Sequence, residues 1–433
     1  EEKEMKGKKV LSLSMAALLA ASMVPATAVS ADSKDERTIK VLTIWNENVQ
    51  GGTQTLKKLS DEYCEQHPEI KVDIEVVAQT DMNSKLSVLA ASNELPDLFI
   101  EVDTAQANTF ITQGLVKNVD EFLADNGLQD ILSESTHDGL INLQGTTGVD
   151  DLYILPTEQN IEGFWYNKKM FEENGWEVPT TMDEFMKICE DASSKGIQPL
   201  SVDGVDKFYF TRLWGGYATS KLGTDALVKA NAGELSWSDD AFKEAYQWVA
   251  DLNDKGYMGA GVTTVDSATM NAVFLSGGAA MEYNGSWFAS NLNNEEENSL
   301  GEDVGFFGFP QVEGAKAEQK DYVQNYGTSW MISNKNYDDA LNDWLTYVFS
   351  GYGDTSMETQ GVLSGFEMKE DHDMPYYTKL VSDMISEAGT ACVWPEYKMP
   401  SEGMNTSLNN SQMLVLGEMS PEDYGASLDA FYK

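Results

Sequence analysis

Between Ile39 and Val102 the chain changes its hydrophobic period four times, and this alternation limits its fold more than any other feature. Ile39 to Trp45 is an apolar run of strand length. Thr53 to His67 then carries apolar residues at helical spacing and is stopped by Pro68. Ile70, Val72, Ile74 and Val76 alternate with Lys71, Asp73 and Glu75, the period of a strand with one face buried. Met82, Leu86 and Leu89 return to helical spacing, and Leu98 to Val102 is a further strand. Pro96, just before it, turns Leu95 away from helix. Strands and helices alternating at this interval require βαβ crossovers, so an α/β lobe on a largely parallel sheet is predicted.

After about Pro156 the rhythm changes. Helical patterns cover Thr181 to Ser193, Ser238 to Lys255, Thr264 to Leu275 and Asp338 to Phe349, and a helical tail follows. A strand-like run from Val304 to Phe309 stops at Pro310, and Glu295 to Glu297 is an acidic run expected in a solvated loop. With 433 residues, 42% of them hydrophobic, the chain is long enough for two or three domains.

The first 31 residues are a different material. Lys6, Lys8 and Lys9 precede an apolar run from Val10 to Val24, Pro25 breaks it, and Ala26-Thr27-Ala28 and Val29-Ser30-Ala31 offer small-x-small cleavage sites. This is the build of a secretory signal peptide over 1–31, so the mature protein is expected outside the cytoplasm, beginning near Val29 or Asp32. The charge is lopsided, 71 acids against 29 bases for a net of −42, and such a field repels phosphate backbones and anionic membranes. Nucleic acid is excluded as a partner on that ground. Cys64, Cys189 and Cys392 are too few for a disulfide framework and match no zinc spacing, and Cys64 is expected as a buried free thiol.

Several catalytic signatures are missing. His67, His137 and His372 are isolated, so paired-histidine zinc sites are absent, as are the phosphate-binding GxxxxGK[ST] loop and the GxSxG nucleophile elbow. Tyr376-Tyr377 matches a tyrosine pair used by some iron-binding proteins, with a packed helix face as the plainer reading. A glycosidase pair of carboxylates stays open, because its test is a distance in space. No metal and no cofactor is expected, and binding leads over catalysis.

Six segments, in order from residue 39 to about 350, resemble the family 1 extracellular solute-binding proteins, the sugar-binding components of bacterial ABC importers. They are Val41 to Asn46 (VLTIWN), Leu89 to Phe99 (LAASNELPDLF), Ile154 to Phe171 (ILPTEQNIEGFWYNKKMF), Val178 to Phe185 (VPTTMDEF), Phe274 to Trp287 (FLSGGAAMEYNGSW) and the pair Val304 to Pro310 with Tyr326 to Ser333. Many members carry a lipobox cysteine at the cleavage site. Here Ala28 to Asp32 reads AVSAD, and no cysteine precedes Cys64, so a mature protein without lipid is expected.

The resemblance implies a two-lobed, periplasmic-binding-protein-like α/β fold, each lobe a mostly parallel sheet flanked by helices, with the ligand cleft between lobes. It implies lobe 1 at 38–157 plus 327–345 and lobe 2 at 158–326 plus 346–433. It further implies a non-catalytic, monomeric carbohydrate receptor, taking an oligosaccharide, that works in the periplasm or on the outer face of the cell membrane. Such a receptor closes about a hinge and hands its solute to a membrane permease.

Sugars present apolar ring faces and a rim of hydroxyls, so aromatic plates and charged or amide groups are the candidates. Trp45 and Asn46 close a strand, at the edge where α/β sheets bind ligands. Trp287 follows Gly285 and Ser286, which let a ligand approach the backbone. Trp214 and Trp394 complete the plates, each with core packing as its alternative. The polar candidates are Asn46, Glu47, Glu101, Asp103 and Glu158, with Tyr326 at the second crossing between lobes. Asp97 is expected to serve its turn. A secreted carbohydrate-active enzyme, or a receptor for another solute such as a polyamine, are the competing functions.

Overall fold

The alternating stretch after Glu36 folds into the first of two sheets. The computed structural model describes residues 36–46, 52–144 and 149–432, so the signal peptide expected over 1–31 and Glu47 lie outside the described residues. Within them the strands are β1 (Arg37–Thr43), β2 (Ile70–Val76), β3 (Leu98–Glu101), β4 (Asn160–Asn167), β5 (Gln198–Ser201), β6 (Ala279–Gly285), β7 (Val304–Phe307), β8 (Val323–Asn325) and β9 (Ser329–Ile332).

The first sheet has the order β2-β1-β3-β9, with β2, β1 and β3 parallel and β9 antiparallel to β3. β2 lies at the edge, which is why its Lys71, Asp73 and Glu75 face water and its period is visible. The helices Gly52–Gln66 and Gln79–Ser92 make the crossovers. Asp97 ties β1 to the turn before β3. It pairs with Arg37 at 2.9 Å and accepts the Lys40 N–H at 2.6 Å, so it serves that turn as expected. Cys64 is a free thiol but only half-buried.

The second sheet has the order β5-β6-β4-β7, with β8 also on β4. Its parallel pairing is β5 with β6, while β4 is antiparallel to β6, β7 and β8. The expectation of a mostly parallel sheet therefore holds for the first lobe, and the second sheet is mixed. Its core is aromatic. The Trp214 ring stands edge-on to Trp237 at 5.9 Å, Tyr246 at 5.0 Å and Tyr424 at 6.0 Å. The helix Met182–Ser194 begins with a capping box, in which Thr181 caps the Glu184 N–H and Glu184 accepts from the Thr180 and Thr181 N–H groups. Those bonds to the charged form pull the Glu184 carboxyl down to about 2.

Three passages join the sheets. Near 156–160 and 325–328 the Thr157 and Glu158 N–H groups both donate to the Tyr326 carbonyl, at 3.0 and 3.2 Å. The third follows Phe366, and just before it the Leu363 carbonyl accepts the Gln159 N–H of the first passage at 2.7 Å. Gly327 has φ +70°, and a Cβ there would stand 2.1 Å from Thr157 Oγ1, so this crossing needs glycine. The expected boundary at residue 346 is corrected by the packing. Val348, Phe349, Tyr352 and Phe366 lie in the first core with Trp330 and Trp344, so the chain leaves that lobe about twenty residues later, after Phe366.

Candidate functional site

Register places most of the sequence candidates on two facing edges. β1 and β3 are parallel, so Trp45 and Glu101 leave the first sheet at the same end. Ser329 of the antiparallel β9 pairs with Glu101, which brings Tyr326 to that end as well. On the second sheet Glu162 pairs with Gly285, and Asn160 with Asn325. The start of β4, the end of β6 and the end of β8 therefore share the edge that faces the passages. Glu158 and Trp287 project from it.

The first-lobe edge carries one unusual group. Glu101 is buried at the end of β3, and its Oε1 accepts the Val102 and Asp103 N–H groups at 2.8 Å each. Oε2 is buried with no hydrogen-bond partner among the described residues. Burial pushes this carboxyl up to about 8 against those two bonds. Near neutrality it therefore keeps its proton and offers a donor as well as an acceptor. Trp45 is half-buried against the first core with its N–H on Thr43 Oγ1 at 3.4 Å, and Asn46 is exposed.

Asp103 is buried too, and its oxygens are occupied. Oδ1 caps the helix Thr104–Thr112 through the Ala105 and Gln106 N–H groups, and Oδ2 accepts from Asn83 at 3.2 Å and from Ser401 at 2.6 Å. The Ser401 bond crosses from one lobe to the other. Beside it the Lys398 N–H donates to Thr104 Oγ1 at 3.1 Å, and the Tyr397 hydroxyl donates to the Asn142 carbonyl. Asp103 thus works as a helix cap and a seam between lobes.

The second-lobe edge holds a continuous polar strip. Asn160 Nδ2 donates to Glu158 Oε2 at 2.7 Å and to Asn325 Oδ1 at 3.3 Å, and its Oδ1 accepts from Ser286 at 3.0 Å. Asn325 Nδ2 continues to Glu162 Oε1 at 3.0 Å. Glu162 then meets Arg212 Nε at 3.1 Å, and Arg212 Nη1 reaches Glu396 at 2.8 Å. Burial raises Glu158 and Glu162 above the usual carboxylate range, opposed at Glu162 chiefly by the Arg212 charge.

Two tryptophans flank the strip. Trp287 sits half-buried in the 3-10 turn Ser286–Phe288, its ring folded back over Gly285. Trp394 is half-buried, with the Arg212 guanidinium 5.3 Å from its ring centroid. Tyr326 is half-buried, its ring lying against Gly139 and its hydroxyl 3.4 Å from the Ser135 carbonyl. Trp214 is fully buried in the second core, and the sequence placement of it at the site is withdrawn. It lies two residues beyond Arg212 on one helix, so the two point to nearly opposite faces.

Arg212, Glu162, Glu396, Asn160 and Asn325 were not among the sequence candidates. One signal was available: the chain uses arginine only at 37 and 212 among its 29 basic residues. Both arginines form part-buried pairs with buried carboxylates, the use to which arginine's fork is suited. The cavity beside Glu162 and Cys392 measures about 20 Å³, room for one water, and borders neither tryptophan. Among the described residues no cluster of His, Cys, Asp and Glu is placed to hold a metal ion, and no helix is long and apolar enough to cross a membrane.

The family described as bacterial extracellular solute-binding protein matches residues 46–350. The multiple sugar-binding protein of Streptococcus mutans is 22% identical over 262 residues, 59% of this chain and 59% of that protein. The melibiose/raffinose/stachyose-binding protein of Bacillus subtilis is 29% identical over 193 residues, 43% of this chain and 42% of that protein. The matched stretch thus spans less than two thirds of either relative. A solved structure described as a chitin oligosaccharide binding protein superposes with TM-score 0.80 at 22% identity, covering 92% of this chain and 98% of that one. The fold is the one those structures share.

Proposed function

The chain belongs to the bacterial extracellular solute-binding proteins, and on that premise we propose that it is a non-catalytic receptor for an oligosaccharide. The observation that carries this is the polar strip from Glu158 to Glu396, lying where the lobes meet and flanked by half-exposed Trp287 and Trp394. The tryptophans offer plates to sugar ring faces. Glu101, Glu158 and the amides of Asn160 and Asn325 offer donors and acceptors to the hydroxyl rim, and Trp45 and Asn46 close the first-lobe side; Glu47, next in sequence, stays a candidate on the sequence alone. Asp103 and Tyr326 act at the seam and the hinge. The sugars in the relatives' names, among them raffinose and stachyose, support the same class of ligand.

Binding to both edges favours the closed arrangement of the lobes, because the ligand gains contacts in that state alone. The closed, exported monomer then presents its solute to the membrane permease of an ABC importer. Titration calorimetry against a panel of mono- and oligosaccharides tests the reading, with mass spectrometry of the recovered sugar. Tight binding of one oligosaccharide class, returned unchanged, is the expected result. Binding of none, or a cleaved sugar, overturns it.

A further inference from the structure

The turn that carries Trp394 is held from four directions. Its Tyr397 N–H closes on the Trp394 carbonyl at 3.0 Å, and Asn231 Nδ2 donates to the carbonyls of Pro395 at 2.8 Å and Tyr397 at 2.7 Å. Gly215 lets the turn sit directly on the helix Phe208–Leu222, since a Cβ there would stand 2.6 Å from Pro395 Cγ. The fourth hold is Arg212, whose Nη1 grips Glu396 at 2.8 Å while Nε grips Glu162 of β4 at 3.1 Å. Its guanidinium lies between two rings, 5.5 Å from the Phe208 centroid and 5.3 Å from that of Trp394.

We infer that Arg212 is a positioning residue, which fixes the Trp394 indole for a sugar ring without touching the sugar itself. The inference rests on the carbohydrate reading above. Nε and Nη1 of this guanidinium are held by the buried carboxylates of Glu162 and Glu396, and only 12% of the side chain's surface is exposed, which leaves little of it open to a hydroxyl. Its flat cationic face is spent on aromatic rings, a geometry that lysine does not reproduce. A rigid plate costs less ordering when ligand arrives, which is how positioning becomes affinity.

Arg212→Lys is the variant of choice, because it keeps a positive charge between Glu162 and Glu396 while losing the fork and the flat face. Acrylamide quenching of Trp394 is read on sugar-free protein as the difference between each protein and its Trp394→Phe counterpart. Arg212→Lys should raise that quenching and weaken sugar affinity about threefold to tenfold. In a Trp394→Ala background it should change affinity by no more than about twofold. Should Arg212→Lys fail to fold, Asn231→Ala loosens the same turn without touching charge and should give the same pattern. Unchanged quenching, or equal affinity losses with and without Trp394, overturns the inference. A wild-type chain that binds no sugar counts against the carbohydrate reading instead, and the quenching comparison still decides whether Arg212 holds Trp394.

Discussion

Adding one methyl group at Gly285 tests whether Trp287 is a ligand plate. The Gly285 backbone has φ −82° and ψ 173°, which alanine adopts without strain, so the substitution acts through space alone. The new Cβ would stand 2.0 Å from Cζ3, 2.2 Å from Cε3 and 2.4 Å from Cη2 of Trp287. Ordinary carbon contacts lie near 3.5–4.0 Å, so the indole must retreat by about 1.5 Å or swing to another rotamer. Overpacking of this kind costs about 1–3 kcal/mol. In a chain this long that lowers the melting temperature by only about 1–4 °C, because the unfolding entropy grows with length. A displaced plate loses its stacking and part of its buried area, so sugar affinity should fall by roughly tenfold or more. Calorimetric titration and thermal unfolding are measured on Gly285→Ala, Trp287→Ala and the double variant. In the double variant the Gly285→Ala penalty on both quantities should vanish, since nothing remains to be displaced. A penalty that persists without Trp287, or an affinity that survives the methyl group intact, refutes the role given to that ring.

Three further outcomes are expected. Trp287→Ala should weaken sugar binding by about 2–4 kcal/mol on the scale of a central aromatic anchor, with a smaller loss of folding stability than the 3–5 kcal/mol of a core aromatic; near-normal affinity with a large drop in melting temperature would place the ring in the core. Trp214→Ala should do the reverse, costing about 3–5 kcal/mol of stability and sparing affinity in whatever folded protein remains, read by the same two measurements. Glu101 is raised from 4.5 to about 8 in the folded state, so its contribution is fully present below about pH 4.5 and is lost as pH rises to about 8. Glu101→Gln should therefore flatten part of the fall in melting temperature between pH 5 and pH 8, leaving the separate slope of Glu282, likewise raised to about 8; an unchanged profile would show that Glu101 ionises normally.

What the residues reveal on their own follows where each element sits. β2 reads as a strand because it lies at an edge with one wet face, and its charged residues mark that face. β4 and β6 bury nearly every position, so no period distinguishes them, and Glu162 and Glu282 interrupt what would otherwise be apolar runs. β4 and β6 were consequently hidden among helical patterns, while β7 was legible as a strand-like run and the helices Met182–Ser194 and Asp240–Asp254 showed clearly through their apolar stripes. The third passage was misplaced for a similar reason. Helix Tyr352–Gln360 shows little amphipathic pattern, and nothing local tells which of two cores its Tyr352 and Met357 enter.

The site divides along the same line. Trp45 and Glu101 are found by a local rule, since the end of a parallel strand is visible in the strand itself and ligands gather there. The strip on the second-lobe edge obeys no local rule. Arg212 meets one carboxylate 50 residues before it and another 184 residues after it, on a strand and a turn that approach only once the sheet is built. Each member alone looks like an error, a charge in a buried position with a large desolvation cost. Only together do they offset one another, and removing one partner of such a group costs far more than the group contributes in sum. Of the acids weighed from sequence, Glu101 keeps an oxygen unpaired, Glu158 is held by Asn160, and Asp103 gives its oxygens to a helix and to the opposite lobe. Acidity in this chain therefore locates the site only when paired with its partners, and the scarce residue among them is the arginine.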